Sequence, residues 1–195
     1  MSSSRAELRT LTRQRRRALS DAEQQQAANE LTIRLLHWPE LASCQHIALY
    51  LTNDGEISTQ PLITALWARG KNLYLPLLHP LVPGYLLFQQ FTPDTPLTLN
   101  KFGIGEPALN CSQIFPVQQL DLVLTPLVAF DAQGHRLGMG GGFYDRTLSQ
   151  LPSDRTRPVL MGLAHQCQQV EQVPVEAWDQ PLRFIATPDR LWQFD

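Results

Sequence analysis

The chain has 195 residues, a formal net charge of −2 and 43% hydrophobic residues, which is enough for one sizeable core. We therefore predict a single domain over residues 1–195. The small negative charge disfavours a protein that coats nucleic acid, and no apolar run reaches the roughly 18 residues that span a bilayer. Because no apolar stretch follows the first charge of MSSSRAELRT, we expect no secretory signal. The widely spaced Cys44, Cys111 and Cys167 read as reduced thiols, so we expect a cytoplasmic protein.

Short apolar segments bounded by turn residues alternate with helical patterns along the chain. In chain order they predict a basic helix from residue 5, helix 21–37, strand 46–52, helix 59–69, strand 71–78, an antiparallel strand near 85–91, strand 120–130, helix 142–150, strand 158–164 and strand 183–187. This alternation indicates an α/β fold with a largely parallel sheet and helices on both faces. In such sheets, ligands bind beyond the carboxyl ends of the strands.

The first helix carries arginines and apolar residues on different faces. At 100° per residue these faces are Arg5, Arg9, Arg13 and Arg16 on one side, and Leu8, Leu11, Ala18 and Leu19 nearly opposite. We expect the apolar face to pack against the protein. The arginine face is then a solvated basic surface, a clamp for phosphates or an arm for RNA. The overall acidity and the lack of an RNP-like or GXXG motif disfavour RNA as a partner.

The segment RLGMGGGFYDR, residues 136–146, is the strongest functional signal, because five of the eleven glycines lie between 134 and 142. Glycine is favoured where the backbone bends sharply or approaches a ligand closely. The spacing matches neither the dinucleotide fingerprint nor the Walker A loop. Successive amides and the start of helix 142–150 predict a cradle for phosphate, with Arg136 as counter-charge and Asp145 as a magnesium ligand. A glycine-rich turn with an Asp145–Arg146 surface pair is the alternative.

Six segments together resemble the bacterial type of the 5-formyltetrahydrofolate cyclo-ligase family. They are RRRALS, YLTNDGEISTQPLI, GKNLYLPLL, KFGIGEP, LTPLVAFDAQGHRLGMGGGFYDRTL and VPVEAWDQPLRFIATP. The resemblance implies a Rossmann-like layered fold of the sugar-isomerase and CoA-transferase type. It also implies a monomeric enzyme that uses ATP and Mg²⁺ to convert 5-formyltetrahydrofolate, with or without a polyglutamate tail, into 5,10-methenyltetrahydrofolate, ADP and phosphate.

The resemblance also implies a set of site residues. The ATP contacts are Arg5, Arg9, Arg136, Leu137, Gly138, Met139, Gly140, Gly141, Gly142, Phe143 and Tyr144. The folate contacts are Leu51, Glu56, Met139, Gly140, Gly141, Gly142 and Phe143. Asp145 and Asp179 hold the magnesium, and Arg136, Tyr144 and Asp145 are catalytic. Two positions depart from the family pattern: Arg5 stands where relatives often have lysine, and Phe143 stands where many have a tyrosine hydroxyl.

In the family mechanism the formyl oxygen attacks the γ-phosphate, N10 closes on the activated carbon, and phosphate leaves. Positioning and charge neutralisation catalyse such a transfer, so no Ser–His–Asp or Cys–His arrangement is needed. We interpret His165 as a structural residue near a strand end, and a first-turn acid for helix 59–69 is the alternative interpretation of Glu56. Two other functions stay open: a sugar-phosphate isomerase, and an RNA-binding protein that uses the arginine helix.

Overall fold

Short apolar segments pair into one large sheet, and helices cover it. The computed structural model of the chain describes residues 4–151, 158–180 and 182–194. Its helices are α1 (Arg5–Arg17), α2 (Asp21–Leu36), α3 (Gln60–Ala68) and α4 (Phe143–Leu148). Its strands are β1 (His46–Ala48), β2 (Asn72–Leu78), β3 (Leu86–Phe91), β4 (Leu97–Leu99), β5 (Gly105–Pro107), β6 (Ile114–Phe115), β7 (Leu122–Pro126), β8 (Ala129–Phe130), β9 (Arg136–Leu137), β10 (Val159–Leu163), β11 (Phe184–Ala186) and β12 (Leu191–Gln193).

The large sheet has the strand order β12-β11-β10-β7-β1-β2-β3-β6. Its five central strands, from β11 to β2, run parallel. The strands β12, β3 and β6 extend the sheet antiparallel at its two ends. The predicted α/β architecture with a largely parallel sheet is therefore confirmed.

Alternate residues of the central strands point to opposite faces of the sheet. On one face, Ile47 and Leu122 pack with residues of α2 and α3 in the largest hydrophobic cluster. On the other face, Ala48 and Val123 pack against Tyr144 of α4. Both long N-terminal helices begin with a capping box, at Ser4 and at Ser20, which satisfies backbone donors that a helix start leaves without partners.

Several predicted elements are shorter than expected near the glycine-rich segment. Only residues 46–48 of the predicted strand 46–52 lie in the sheet, helix 142–150 is reduced to residues 143–148, and strand 120–130 is split into β7 and β8. The split follows Pro126, which lacks the N–H that would continue the strand pairing. The hairpins β4–β5 and β8–β9 and the edge strand β12 are structural features that the sequence patterns did not predict.

The orientation predicted for α1 is wrong in part: Leu8 of the predicted apolar face is buried, but Arg16 of the arginine face is buried as well. Its buried residues are Leu8, Thr12 and Arg16, whereas Leu11 is 41% exposed and Ala18 is exposed. The arginine face therefore turns toward the protein. This orientation is stable because the guanidiniums find acidic and carbonyl partners there, and a buried charge needs such partners.

Within the described residues, no helix is both long and apolar enough to cross a membrane.

Candidate active site

A cavity of about 410 Å³ lies where the chain leaves the carboxyl ends of β1, β2 and β7. Ten of the predicted site residues line it: Leu51, Glu56, Arg136, Gly138, Met139, Gly141, Gly142, Phe143, Tyr144 and Asp145. A larger groove, of about 790 Å³, lies between the C-terminal part of α2 and β12, and contains none of the predicted site residues. We take the 410 Å³ cavity as the candidate site because most of the predicted site residues line it.

Of four more predicted residues, Arg9 and Gly140 adjoin the cavity, because Arg9 donates to the Gly138 carbonyl and Gly140 lies between two lining residues. Arg5 and Asp179 pair with each other outside the lining, and the segment of Asp179 reaches the cavity through Gln180, whose N–H donates to Asp145 Oδ1. The remaining residue, Leu137, is completely buried and packs with Leu8, Ala129 and Val173. Its carbonyl also accepts a hydrogen bond from the Val128 N–H. The Leu137 side chain therefore serves the core and is not available to a ligand in the cavity.

Glu56 supplies a carboxylate in a largely dehydrated position. Burial raises its pKa to about 7, although the nearby Arg16 charge and a hydrogen bond from Asn53 both oppose the rise. The Asn53 N–H donates to Glu56 Oε2 at 3.1 Å, so this carboxylate caps its own turn and not α3, whose N-cap is Thr59. The interpretation of Glu56 as a first-turn acid of helix 59–69 is therefore wrong.

The glycine-rich loop between β9 and α4 lines the cavity through Gly138, Met139, Gly141 and Gly142. Gly140 and Gly142 have φ angles of 97° and 63°, which L-residues with side chains rarely adopt. Arg146 donates to the carbonyls of Gly141 and Gly84, and Asp145 pairs with Arg136 instead, at 2.6 Å. The alternative of a surface turn with an Asp145–Arg146 pair is thus contradicted.

Arginines from α1 reach this loop and the C-terminal segment beside it. Arg9 Nε donates to the Gly138 carbonyl at 2.8 Å. Arg5 makes a bidentate contact with the Asp179 carboxylate, at 2.6 and 3.0 Å. Partial burial alone would raise the pKa of Asp179, but the hydrogen bonds from Arg5 outweigh it and lower the pKa.

Arg136 and Tyr144 lie at the inner wall. The buried Arg136 guanidinium donates to Asp145 Oδ1 and to the Gln180 carbonyl. Burial raises the pKa of the Tyr144 hydroxyl well above its ordinary value, and the neighbouring Glu56 charge adds to the rise. Tyr144 therefore stays protonated at neutral pH and can donate a hydrogen bond, but it cannot act as a base.

The C-terminal segment links Asp145 and Asp179, since the N–H of Gln180, the residue after Asp179, also donates to Asp145 Oδ1, at 3.3 Å. No group of three or more His, Cys, Asp or Glu suited to a metal ion occurs among the described residues. The carboxylates of Asp145 and Asp179 are nevertheless the type of ligand that suits Mg²⁺, which is usually held by one or two carboxylates, phosphates and waters. Each carboxylate already bonds an arginine, so its negative charge is partly balanced in the absence of a metal.

Sequence reasoning missed two aspartates that hold the site together. Asp54 accepts hydrogen bonds from three arginines of α1. Asp131 is completely buried and accepts hydrogen bonds from backbone N–H groups of Gln133, His135 and Val173, which fixes the turn before Arg136. The Asn-Asp-Gly sequence is a local signal for the turn at Asp54. No sequence signal indicates that the arginines of α1 are the partners of Asp54, because they lie far from it in the chain.

The hairpin β4–β5 supplies a further wall that the site prediction did not include. Phe102 contacts the loop residue Phe143 edge to face, with ring centroids 5.9 Å apart, and it is half exposed. Asn100 and Glu106 also line the cavity, where Asn100 Nδ2 donates to Glu106 Oε2 at 3.0 Å. Their segment, KFGIGEP, was a signal available in the sequence.

His165 lies outside the cavity lining, as a structural role requires. Its side chain is almost completely buried, and its Nε2 has no hydrogen-bond partner among the described residues. Burial and the Arg16 charge lower its pKa to about 4. His165 is therefore neutral at physiological pH.

Comparisons with known proteins identify the family of the chain. The model of the 5-formyltetrahydrofolate cyclo-ligase family matches residues 1–188. A protein of Escherichia coli K12 named 5-formyltetrahydrofolate cyclo-ligase is 47% identical over 94% of this chain and 100% of its own length. A protein of the same name from Haemophilus influenzae is 51% identical, over 91% of this chain and 94% of its own.

A solved structure has the same fold. The NMR structure of Aquifex aeolicus 5,10-methenyltetrahydrofolate synthetase superposes with a TM-score of 0.82 at 28% identity, covering 97% of this chain and 92% of that one. A family match over nearly the whole sequence, relatives near half identity and a shared fold lead to one conclusion. The chain belongs to the 5-formyltetrahydrofolate cyclo-ligase family and is an enzyme.

Proposed function

We propose that this enzyme uses MgATP to cyclise 5-formyltetrahydrofolate to 5,10-methenyltetrahydrofolate, with release of ADP and phosphate. The observation that carries the proposal is the pairing of two chemistries in one cavity. The half-buried carboxylate of Glu56, the glycine-rich loop and the buried Arg136 all line this cavity. The names of the relatives in E. coli, H. influenzae and A. aeolicus support the same reaction.

The folate binds, in this proposal, at the end of the cavity that holds Glu56. A reduced pterin presents ring and exocyclic N–H donors, and one carboxylate accepts two of them with charge-assisted strength. The apolar side chains of Leu51, Phe102 and Phe143 line the same cavity and suit the flat faces of the substrate rings.

The nucleotide phosphates bind along the glycine-rich loop. Gly140 and Gly142 let the backbone approach a phosphate closely, and Arg9 lies against the same loop through Gly138. Arg5 and Arg136 bring two further guanidiniums, whose rigid donor forks match phosphate oxygens. The dipole of α4 contributes less to phosphate binding than the predicted helix 142–150 would, because α4 has only 6 residues.

The chemistry proceeds by activation of a poor leaving group. The formyl oxygen forms a bond to the γ-phosphorus as ADP leaves, then N10 attacks the formyl carbon and loses its proton. The carbon–oxygen bond breaks and phosphate departs, which leaves the methenyl bridge between N5 and N10. Arg136 stabilises charge that spreads over the transferred group, and the protonated Tyr144 donates a hydrogen bond at the reacting end.

Mg²⁺ would be held by Asp145 and Asp179 and would supply charge neutralisation at the phosphates. Arg136 and Arg5, the present partners of these carboxylates, would then turn toward the phosphate oxygens. Each arginine contacts its aspartate at 2.6 Å, and the Gln180 N–H, next to Asp179 in the chain, donates to Asp145 Oδ1, which supports a shared role for the two pairs.

The RNA-binding alternative loses its main support in this structure. Arg5, Arg9, Arg13 and Arg16 all contact other parts of the protein, so the arginine face of α1 is not a free basic surface. No corresponding observation favours a sugar-phosphate isomerase over a folate enzyme.

The test is an absorbance assay for methenyltetrahydrofolate with purified protein, 5-formyltetrahydrofolate and MgATP. We expect one ADP for each product molecule and no product when ATP or magnesium is left out. A protein that forms no methenyltetrahydrofolate under these conditions, or that turns over a sugar phosphate without ATP, would refute the proposal.

A further inference from the structure

Asp54 has an unusual backbone conformation and an unusual set of partners. Its φ angle of 55° makes it the one non-glycine residue with positive φ in the described ranges. Its carboxylate accepts from Arg13 Nε at 2.7 Å, from Arg16 Nη2 at 2.7 Å, and from Arg17. Burial alone would raise the pKa of Asp54, but these hydrogen bonds hold it well below its ordinary value.

Arg16 shows that this cluster is more than a surface ion pair. Its side chain is 0% exposed, and its Nε also donates to the Asp54 carbonyl at 2.8 Å. Its Nη1 donates to the carbonyl of Leu127, which lines the cavity, at 3.3 Å. A charge buried this completely is tolerated only with full pairing, so Arg16 fixes both the carboxylate and the backbone of Asp54.

The turn that Asp54 occupies is the one that presents Glu56. The Asn53 N–H donates to Glu56 Oε2 at 3.1 Å, and the Glu56 N–H donates to the Asn53 carbonyl at 3.0 Å. The two residues between them are Asp54 and Gly55, both with positive φ. A shift of Asp54 would therefore change the position of the Glu56 carboxylate directly.

We propose that Asp54, held by the arginines of α1, is a positioning residue that fixes Glu56 for binding of the substrate's N–H donors. The proposal rests on the proposed function, in which Glu56 contacts the folate. Asp54 also lines the cavity, but both of its carboxylate oxygens already accept hydrogen bonds from arginines, so its role toward the substrate is indirect. Its role is to keep the turn in a left-handed conformation that an Asp adopts only at a cost.

The test compares Asp54→Asn with the parent enzyme in steady-state kinetics. Asparagine keeps the shape and the tolerance for left-handed backbone, but it loses the charge that three arginines bind. We expect the KM for 5-formyltetrahydrofolate to rise about fivefold or more while the KM for ATP changes less than about twofold. Asp94→Asn, at an exposed acid outside the cavity, is the matched control and should leave both constants unchanged.

A double-mutant cycle with Glu56→Gln separates positioning from a general loss of structure. If Asp54 acts through Glu56, then Asp54→Asn should add less than about twofold to the KM of the Glu56→Gln enzyme. The proposal would be overturned if Asp54→Asn raised the KM for folate equally in the parent and in the Glu56→Gln enzyme. It would also be overturned if Asp54→Asn raised the KM for ATP as much as the KM for folate. A parent enzyme that does not use 5-formyltetrahydrofolate would instead refute the proposed function.

Removal of the Asp54 charge leaves Arg16 buried without its ionic partner, so this variant has a risk of not folding. In that case the Arg13→Gln variant tests the proposal. We expect it to fold, because the Arg13 side chain is 35% exposed and Arg16 keeps its contacts with Asp54. We expect a rise of about twofold or more in the KM for folate alone. An Arg13→Gln enzyme with unchanged constants would then overturn the proposal.

Discussion

At the scale of single residues, Glu56 shows how burial sets chemistry. A carboxylate in water ionises near its ordinary pKa of 4.5, whereas burial raises the pKa of Glu56 to about 7. The ionised form accepts two N–H donors, but the protonated form must donate at one oxygen. The affinity of the site for a pterin therefore depends on pH near neutrality.

We predict that kcat/KM for 5-formyltetrahydrofolate in the parent enzyme rises up to about tenfold per pH unit below 7 and levels off above it. Glu56→Gln should lower kcat/KM for folate by about tenfold or more, because a donor then faces a donor. It should also abolish the rise with pH and leave the KM for ATP nearly unchanged. Steady-state kinetics between pH 5.5 and 8.5 would measure this, and an unaltered pH profile in the variant would contradict the role of Glu56.

Stability gives an independent check on the same residue. Between pH 4.5 and about 7, the native state keeps the Glu56 proton while the unfolded state has released it. Stability therefore falls as pH rises through this window, and the full cost is present above pH 7. Glu56→Gln should be more stable than the parent at pH 8, by up to about 3 kcal/mol, and the difference should shrink toward zero near pH 4. Urea unfolding at the two pH values measures this.

Gly140 illustrates a residue whose importance lies in its backbone. Its φ angle is 97°, and an added Cβ would lie 3.5 Å from the Arg9 guanidinium. We predict that Gly140→Val abolishes turnover, because a β-branched residue strains this backbone conformation and its side chain obstructs the approach of a phosphate to the loop. Assays of turnover and of ATP binding would show the loss.

Gly70 provides the matched control for that variant. It follows α3, has a φ angle of 69°, and has nothing within 4 Å of an added Cβ. Gly70→Val should therefore lose stability from a comparable backbone strain, yet keep the parent KM for ATP. If Gly140→Val retained ATP affinity and turnover, the glycine loop would not be the phosphate cradle.

At the scale of elements, α1 shows what a helical sequence pattern can and cannot predict. The periodicity located the helix and grouped its arginines on one face, but hydrophobicity alone identified Leu8 and missed Thr12 and Arg16 among its buried residues. Arg16 is buried because Asp54 and Leu127 supply its partners. Those partners come from distant parts of the chain, so a pattern within the helix cannot reveal them.

The inward face of α1 leads to a prediction for Arg9, whose Nε bonds the Gly138 carbonyl at 2.8 Å. Arg9→Ala should weaken ATP binding by about 1.5–3 kcal/mol, the cost of one charge-assisted hydrogen bond. Arg15→Ala, at an exposed arginine on the same helix, should leave ATP binding unchanged. Calorimetric titration with a non-hydrolysable ATP analogue compares the affinities of the two variants. Equal losses of affinity would show that only the total charge of the helix matters for ATP binding.

At the scale of the whole molecule, the sequence predicted the sheet much better than the details of the site. Buried parallel strands are continuous apolar runs, so β2, β7 and β10 were visible directly. The candidate residues on the glycine-rich loop were also visible, as a local cluster. The sequence could not show that Asp145 bonds Arg136 and not its neighbour Arg146, because that choice depends on how β9 and the C-terminal segment fold together.

The magnesium proposal depends on this long-range assembly, since Asp145 lies on α4 and Asp179 comes from the C-terminal segment. Magnesium rarely binds tightly to two carboxylates without phosphates, and here Arg136 and Arg5 occupy them. We therefore expect no tight Mg²⁺ binding to the protein alone, and binding when an ATP analogue is present. Asp145→Asn should raise the magnesium concentration for half-maximal rate by about tenfold and lower kcat, because one anionic ligand is lost. Magnesium titrations of the rate at saturating ATP measure this. An Asp145→Asn enzyme with the parent magnesium dependence would exclude Asp145 from the metal site and leave it as the partner that orients Arg136.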